Sequence, residues 1–164
     1  MFRIGCGWDR HKLVEGRPCV LGGVRFPECP VGPLGHSDGD ALLHAIVDAL
    51  LGAAALGDIG RHFPDTDPAW AGADSRDLLA RAVALAAAAG WRPVNVDATV
   101  IAERPQLAPR AAAMQAEIAR VLALDPGAVS VKATRGEGLG PEGRGECVTA
   151  VAVALLERRD GAGG

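Results

Sequence analysis

Asp9 and His11, separated only by Arg10, and His44 further along offer one carboxylate and two imidazoles, an incomplete coordination shell for a divalent metal. Three protein ligands leave one position open, and an open position is where a catalytic zinc ion meets water or substrate. Residues two apart on a strand share a face, so Asp9 and His11 are expected to point the same way at the end of a first strand, Met1 to Trp8. His44 is expected on a helix.

A second extended segment is expected from Arg17 to Phe26, bent or closely paired at Gly22-Gly23, followed by a broken loop from Pro27 to Gly35. Ser37 with Asp40 three residues on has the form of a capping box for a helix running to about Gly52, with Leu42, Leu43, Ile46 and Leu50 on its buried face. Asp48, one turn beyond His44, is either a partner of that histidine or a solvated carboxylate. Ser75 reads as the cap of a helix from Arg76 to Ala89 ended by Gly90. From Val94 to Ala102 the pattern switches to period two, with Asn95, Asp97 and Thr99 on a face that is polar or meets another subunit. Pro109 opens a helix through Met114, Ile118 and Leu122. A strand from Val129 to Thr134, a glycine-rich loop from Gly136 to Gly145 and a buried strand from Cys147 to Leu156 complete the order. This is an α/β sandwich, a mixed sheet covered by helices on one side, in one domain over residues 1–158, with 159–164 a disordered tail.

A chain of 164 residues buries a core without staples. It has no tyrosine and few other aromatic residues, which argues against a stacking platform for nucleic acid, and its net charge of −3 argues against a general polyanion binder. Cys6, Cys19, Cys29 and Cys147 lack CxxC spacing, and the chain opens on a strand-like segment with neither a charged leader nor an apolar signal. A reduced cytoplasmic protein is expected. No apolar run reaches membrane-spanning length, so no membrane contact is expected.

Several other groups could do chemistry. His36-Ser37-Asp38-Gly39-Asp40 lies at a helix start that favours an anion, although taken alone it is an ordinary cap. Asp58, Asp65 and Asp67 suit polyol hydroxyls or a hard cation, or form a solvated acidic loop. Thr134 and Arg135 can bind phosphate oxygens, and Glu137 can hold magnesium bridging two phosphates. Arg144 and Glu146 form a surface ion pair in a monomer or close the end of a channel in a trimer.

Taken jointly, these stretches resemble the 2-C-methyl-D-erythritol 2,4-cyclodiphosphate synthase family of the non-mevalonate isoprenoid pathway. The resemblance rests on Gly7-Trp8-Asp9-Arg10-His11, Gly35 to Asp40 with His44, Leu51 to Gly60, Phe63 to Asp67, Gly72 to Arg76, Val131 to Thr134 and Gly143 to Glu146. They run in the family's order over nearly the whole chain. The resemblance implies a homotrimer with active sites between neighbouring subunits, zinc on Asp9, His11 and His44, and magnesium or manganese on Glu137. It further implies that 4-diphosphocytidyl-2-C-methyl-D-erythritol 2-phosphate is cyclised with release of CMP, a phosphorus–oxygen lyase reaction. His36 and Arg135 would act on the reacting phosphates. Asp58 and Gly60 would bind the erythritol part, and Ser37, Ile59, Phe63, Asp65 and Asp67 would also bind substrate. Ala102, Arg104, Gln106 and Leu107 would surround the cytosine, with Thr134 and Arg144 also binding ligand.

Three positions depart from the family pattern. Gln106 stands where a lysine is usual, with Arg104 as a neighbouring cation; Arg135-Gly136 replaces a Thr-Thr pair; and Pro141-Glu142 replaces an apolar–threonine pair beside the subunit axis. An alternative is a trimeric protein that binds metal and cytidine nucleotide with weak or no turnover. A metal-dependent phosphohydrolase would instead yield an open-chain product.

Overall fold

The structure, a computed structural model, describes residues 1–159. β1 (Phe2–Glu15) is followed by the two-residue strands β2 (Val20–Leu21) and β3 (Val24–Arg25), and by β4 (Val31–Pro33). Helices α1 (Ala41–Ala54), α2 (Ile59–His62) and α3 (Ser75–Ala88) precede β5 (Trp91–Ile101). Then come α4 (Ala111–Leu122), β6 (Val129–Thr134), α5 (Gly140–Gly143) and β7 (Cys147–Arg158). The main sheet runs β4-β1-β7-β5-β6, and β5 and β6 are its parallel pair.

The expected class is therefore observed, a mixed sheet with helices on one face. β1 is much longer than its first eight residues suggested, because β7 pairs with it in register from Phe2↔Glu157 to Lys12↔Cys147 and supplies backbone partners through the polar stretch. Asp9 and His11 are consequently held in mid-strand. The segment expected as one extended piece is the hairpin of β2 and β3, turned at Gly22-Gly23. The proline-broken loop contains an edge strand, β4, whose Pro33 pairs with Leu13.

On the covered face, β1 presents Gly5 and Gly7 to α1. A Cβ on Gly7 would lie 1.9 Å from the Ala45 carbonyl oxygen, and one on Gly5 would lie 2.0 Å from that of Ala49. Two glycines on the strand and small residues spaced by four on the helix let the backbones meet. Ala150, Ala152, Ala154 and Leu156 of β7 continue this buried surface. The opposite face is bare. Phe2, Ile4 and Trp8 are 62%, 72% and 53% exposed, beside half-buried Val151, Val153 and Leu155, and the stripe turns polar at Asn95, Asp97 and Thr99 on β5.

Capping differs from the expectation at two helices. α1 is capped by Asp40, not Ser37: the fully buried Asp40 carboxylate accepts from Leu43 N–H and also from Gly22 and Gly23 N–H, tying the hairpin to the helix. α3 is capped by Asp74. The first residue of the expected tail, Arg159, donates its N–H to the Gly90 carbonyl, and the rest of that tail lies outside the described residues. No helix among the described residues is long and apolar enough to cross a membrane.

Candidate active site

β1 carries Asp9 and His11 on its covered face, and α1 brings His44 across to meet them. One ligand atom from each lies within 4.8 Å of the others. Asp9 Oδ2 is 2.8 Å from His11 Nδ1 and 3.2 Å from His44 Nδ1. His11 Nδ1 is nonetheless buried without a hydrogen bond, since its approach to Asp9 has the wrong angle.

The far side of the His44 ring explains the arrangement. Ser75 donates its hydroxyl proton to Asp38 Oδ1, so its oxygen is free to accept from His44 Nε2 at 2.8 Å. With the proton on Nε2, the lone pair of Nδ1 faces a carboxylate oxygen. Two lone-pair atoms so close call for a proton or a metal cation between them. Burial opposes the charge on Asp9, yet the His11 and His44 rings beside it hold its carboxyl well below the usual range. Burial likewise disfavours a charged His44, while Asp9 and the nearby Asp40 and Asp38 raise its pKa. The donor set fits a divalent cation, with Ser75 and Asp38 orienting one ligand from behind.

A cavity of about 420 Å³ opens beside this cluster, lined by His11, His36, Ser37, His44, Ile59, Gly60, Phe63 and Asp65, and also by Trp70 and Leu78. Two further contacts shape it. His36 donates Nε2–H to the Asp67 carbonyl, and Asp48 accepts from Ile59 N–H at 2.7 Å. Asp48 is thus neither a partner of His44 nor simply solvated: it fastens the turn carrying Asp58, Ile59 and Gly60. Asp58 itself is exposed and caps α2. The N–H groups of residues 38–40 are all used internally, by Ala73 O, Ser37 Oγ and Asp38 Oδ1. The stretch is the cap it looks like in isolation, and those three groups are not free for an anion.

A separate cavity of about 400 Å³ lies where β5 and β6 end in parallel, lined by Ala102, Gln106, Leu107, Thr134, Arg135 and Glu137 with Glu103. It shares no lining residue with the first. Arg104 lines an adjoining cavity with Glu28 and Cys29, and Glu103, Gln106 and Arg135 line both, so Arg104 is a cation beside Gln106 on the neighbouring side. Arg144 is exposed and paired with Glu146. Glu142 accepts from Arg10 and from the Thr149 hydroxyl, both at 2.6 Å, a polar cluster that ties α5 to β1 and β7.

Sequence reasoning missed Ser75 as a site residue because a serine at a helix start reads first as a cap. It did not single out Glu103, whose partner lies on another loop.

Residues 2–157 match the YgbB family. A protein of Dechloromonas aromatica, 2-C-methyl-D-erythritol 2,4-cyclodiphosphate synthase, is 64% identical over 157 residues, which are 96% of this chain and 98% of that protein. Among solved structures, the bifunctional IspDF from Campylobacter jejuni superposes with a TM-score of 0.93 at 41% identity, over 98% of this chain and 43% of that longer one. A 2C-methyl-D-erythritol-2,4-cyclodiphosphate synthase in a CDP-bound form superposes with a TM-score of 0.87 at 42% identity, over 94% of this chain and 100% of that one.

Proposed function

The chain belongs to the YgbB family, and from that premise we propose that it cyclises 4-diphosphocytidyl-2-C-methyl-D-erythritol 2-phosphate to the 2,4-cyclodiphosphate and CMP. The observation that carries the reading is the meeting of Asp9, His11 and His44 beside a cavity that both histidines line, in a chain so similar to named synthases. A 2-phosphate oxygen bonds to the β-phosphorus while the bond from that phosphorus to the oxygen shared with the α-phosphate breaks, and the electron pair leaves on CMP. No protein nucleophile is needed, because both reacting groups belong to one molecule and the site has only to hold them in line.

Divalent cations, zinc on Asp9, His11 and His44 and magnesium or manganese on Glu137, would supply charge withdrawal from the diphosphate. The chain itself does the positioning. Asp58, Ile59 and Gly60, fastened through Asp48, bind the polyol with Phe63, Asp65 and Asp67 around it. His36, steadied by the Asp67 carbonyl, and Ser37 lie against the reacting phosphate. Residues 102–107 take the cytosine, and Thr134 and Arg135 take the nucleotide phosphates.

The two cavities share no lining residue, yet the substrate has to engage both. We therefore assign the working unit to a homotrimer in which one subunit's metal cluster faces the next subunit's nucleotide cleft, with the bare sheet faces packed together. The relatives carry the synthase name, which leaves the binding-only alternative unsupported.

The test is an assay of CMP release with mass analysis of the product and metal analysis of the same sample. The expected product is the ring, lighter by one water than the hydrolysis product. His44→Ala is expected to lose the bound cation and at least 1,000-fold in turnover with its far-UV dichroism unchanged, since a cation and its chemistry go together. Full activity in a metal-free variant would overturn the assignment.

A further inference from the structure

Ala102 donates its N–H to the Thr134 carbonyl, so the chains leaving β5 and β6 run side by side and bring Glu103 against Arg135. Arg135 gives both Nε, at 3.1 Å, and Nη2, at 2.6 Å, to the same oxygen, Glu103 Oε1. Glu103 is the more covered partner, 22% exposed against 62% for the arginine. Its Oε2 is buried and makes no hydrogen bond among the described residues. One edge of the guanidinium is thereby occupied, and no hydrogen bond from Nη1 is made among the described residues. Both side chains line the cavity at the ends of β5 and β6.

We propose that Glu103 is a positioning residue for nucleotide binding: it clamps the Nε–Nη2 edge of Arg135 so that the opposite edge is presented to a phosphate of the cytidine diphosphate moiety. The inference rests on the functional reading above and deepens it. A guanidinium has five donors in a rigid fork, so one edge can hold a carboxylate while the other grips a phosphate. A free arginine at this exposed place would have to be ordered at the moment of binding, and the clamp orders it beforehand. The pairing has a second consequence. If the arginine is removed, the Glu103 carboxylate is left uncompensated beside an anionic ligand and repels it. Removing both is then less harmful than removing Arg135 alone.

The experiment measures calorimetric binding of CDP and of cytidine, together with KM and kcat, for four variants in the metal-loaded protein. Glu103→Ala is expected to weaken CDP binding and raise KM by about tenfold, with kcat within about twofold and cytidine binding unchanged. Glu103→Gln, which keeps an acceptor, recovers most of that loss. Arg135→Ala binds CDP more weakly than the double variant Glu103→Ala/Arg135→Ala. CDP affinity that is unchanged or tighter in Glu103→Ala overturns the proposal, as does an equal loss for cytidine, which would mean a general disturbance of the loop. Failure of the wild-type protein to release CMP from substrate would instead count against the functional reading, while the CDP comparison still judges the clamp.

Discussion

His44 spends its two ring nitrogens on different partners. Nε2–H goes to Ser75, which is itself held by Asp38, and this leaves Nδ1 aimed at Asp9 and the cation position. A ligand fixed from behind in this way loses affinity when its support goes, typically by 10- to 100-fold. Ser75→Ala is accordingly expected to weaken the divalent cation by about that factor, measured by competition with a chelator, while the fold persists. An unchanged affinity would remove Ser75 from the site. Asp40 makes a prediction of a different kind. Burial pushes its carboxyl up to about 6, against hydrogen bonds from Gly23, Gly22 and Leu43 that favour the charged form and with Asp38 adding repulsion. The folded chain thus keeps a proton that the unfolded chain releases near the ordinary value of 3.8. The stability that Asp40 contributes is complete below that value and is lost as pH rises to about 6, a change of at most about 3 kcal/mol. Urea unfolding at pH 4 and pH 6.5 is expected to show this loss in the wild type relative to Asp40→Asn. At this scale the meeting of Asp9, His11 and His44 was legible, because two side chains on one strand face and a histidine on a helix make a recognisable set. Ser75 was not, since nothing in its neighbours says that its hydroxyl points at a histidine thirty-odd residues earlier in the chain.

Among the elements, the contact of β1 with α1 is the tightest constraint, because the Cβ that Gly7 lacks would stand inside the α1 backbone. Gly7→Ala is expected to cost about 3 kcal/mol or to prevent folding, since neither backbone can yield without moving Asp9, His11 and His44, which they carry. Gly52, on the exposed side of the same helix, has nothing near its missing Cβ, and Gly52→Ala is expected to stabilise by about 0.5–1 kcal/mol. Urea midpoints of the two variants check both signs. β6 was read with its bounds intact, Val129–Thr134, because a short valine-containing run between a helix and a glycine-rich loop has few other options. β1 reads as a strand ending at Asp9 and His11, because nothing local shows that β7 will pair with the polar residues up to Lys12. β4 was missed for a related reason: three residues ending in proline become a strand only by pairing with an edge.

Among the described residues, the cavity beside Asp9, His11 and His44 and the cavity at the ends of β5 and β6 have no lining residue in common, and one sheet face is bare and largely apolar. If active sites form between copies, a subunit with a damaged metal cluster and one with a damaged nucleotide cleft should complement each other. His44→Ala and Glu137→Ala, each inactive alone, are expected to regain a substantial part of wild-type activity when unfolded and refolded together, whereas additive inactivity would confine each site to one chain. Trp8→Asp is expected to prevent association, seen as a monomer by light scattering. The three long helices and most of the sheet could be read from the amino acids alone, since periodicity is a local property, whereas the single turns α2 and α5 lie in glycine-containing stretches that read as loops. Tertiary structure alone decided that Asp40 also ties the β2–β3 hairpin to α1, that Glu103 grips Arg135, and that the cavity beside Asp9, His11 and His44 shares no lining residue with the one at the ends of β5 and β6. Each of these depends on which distant segments the sheet register and the glycine-to-helix contact bring together, and no local pattern encodes that distance.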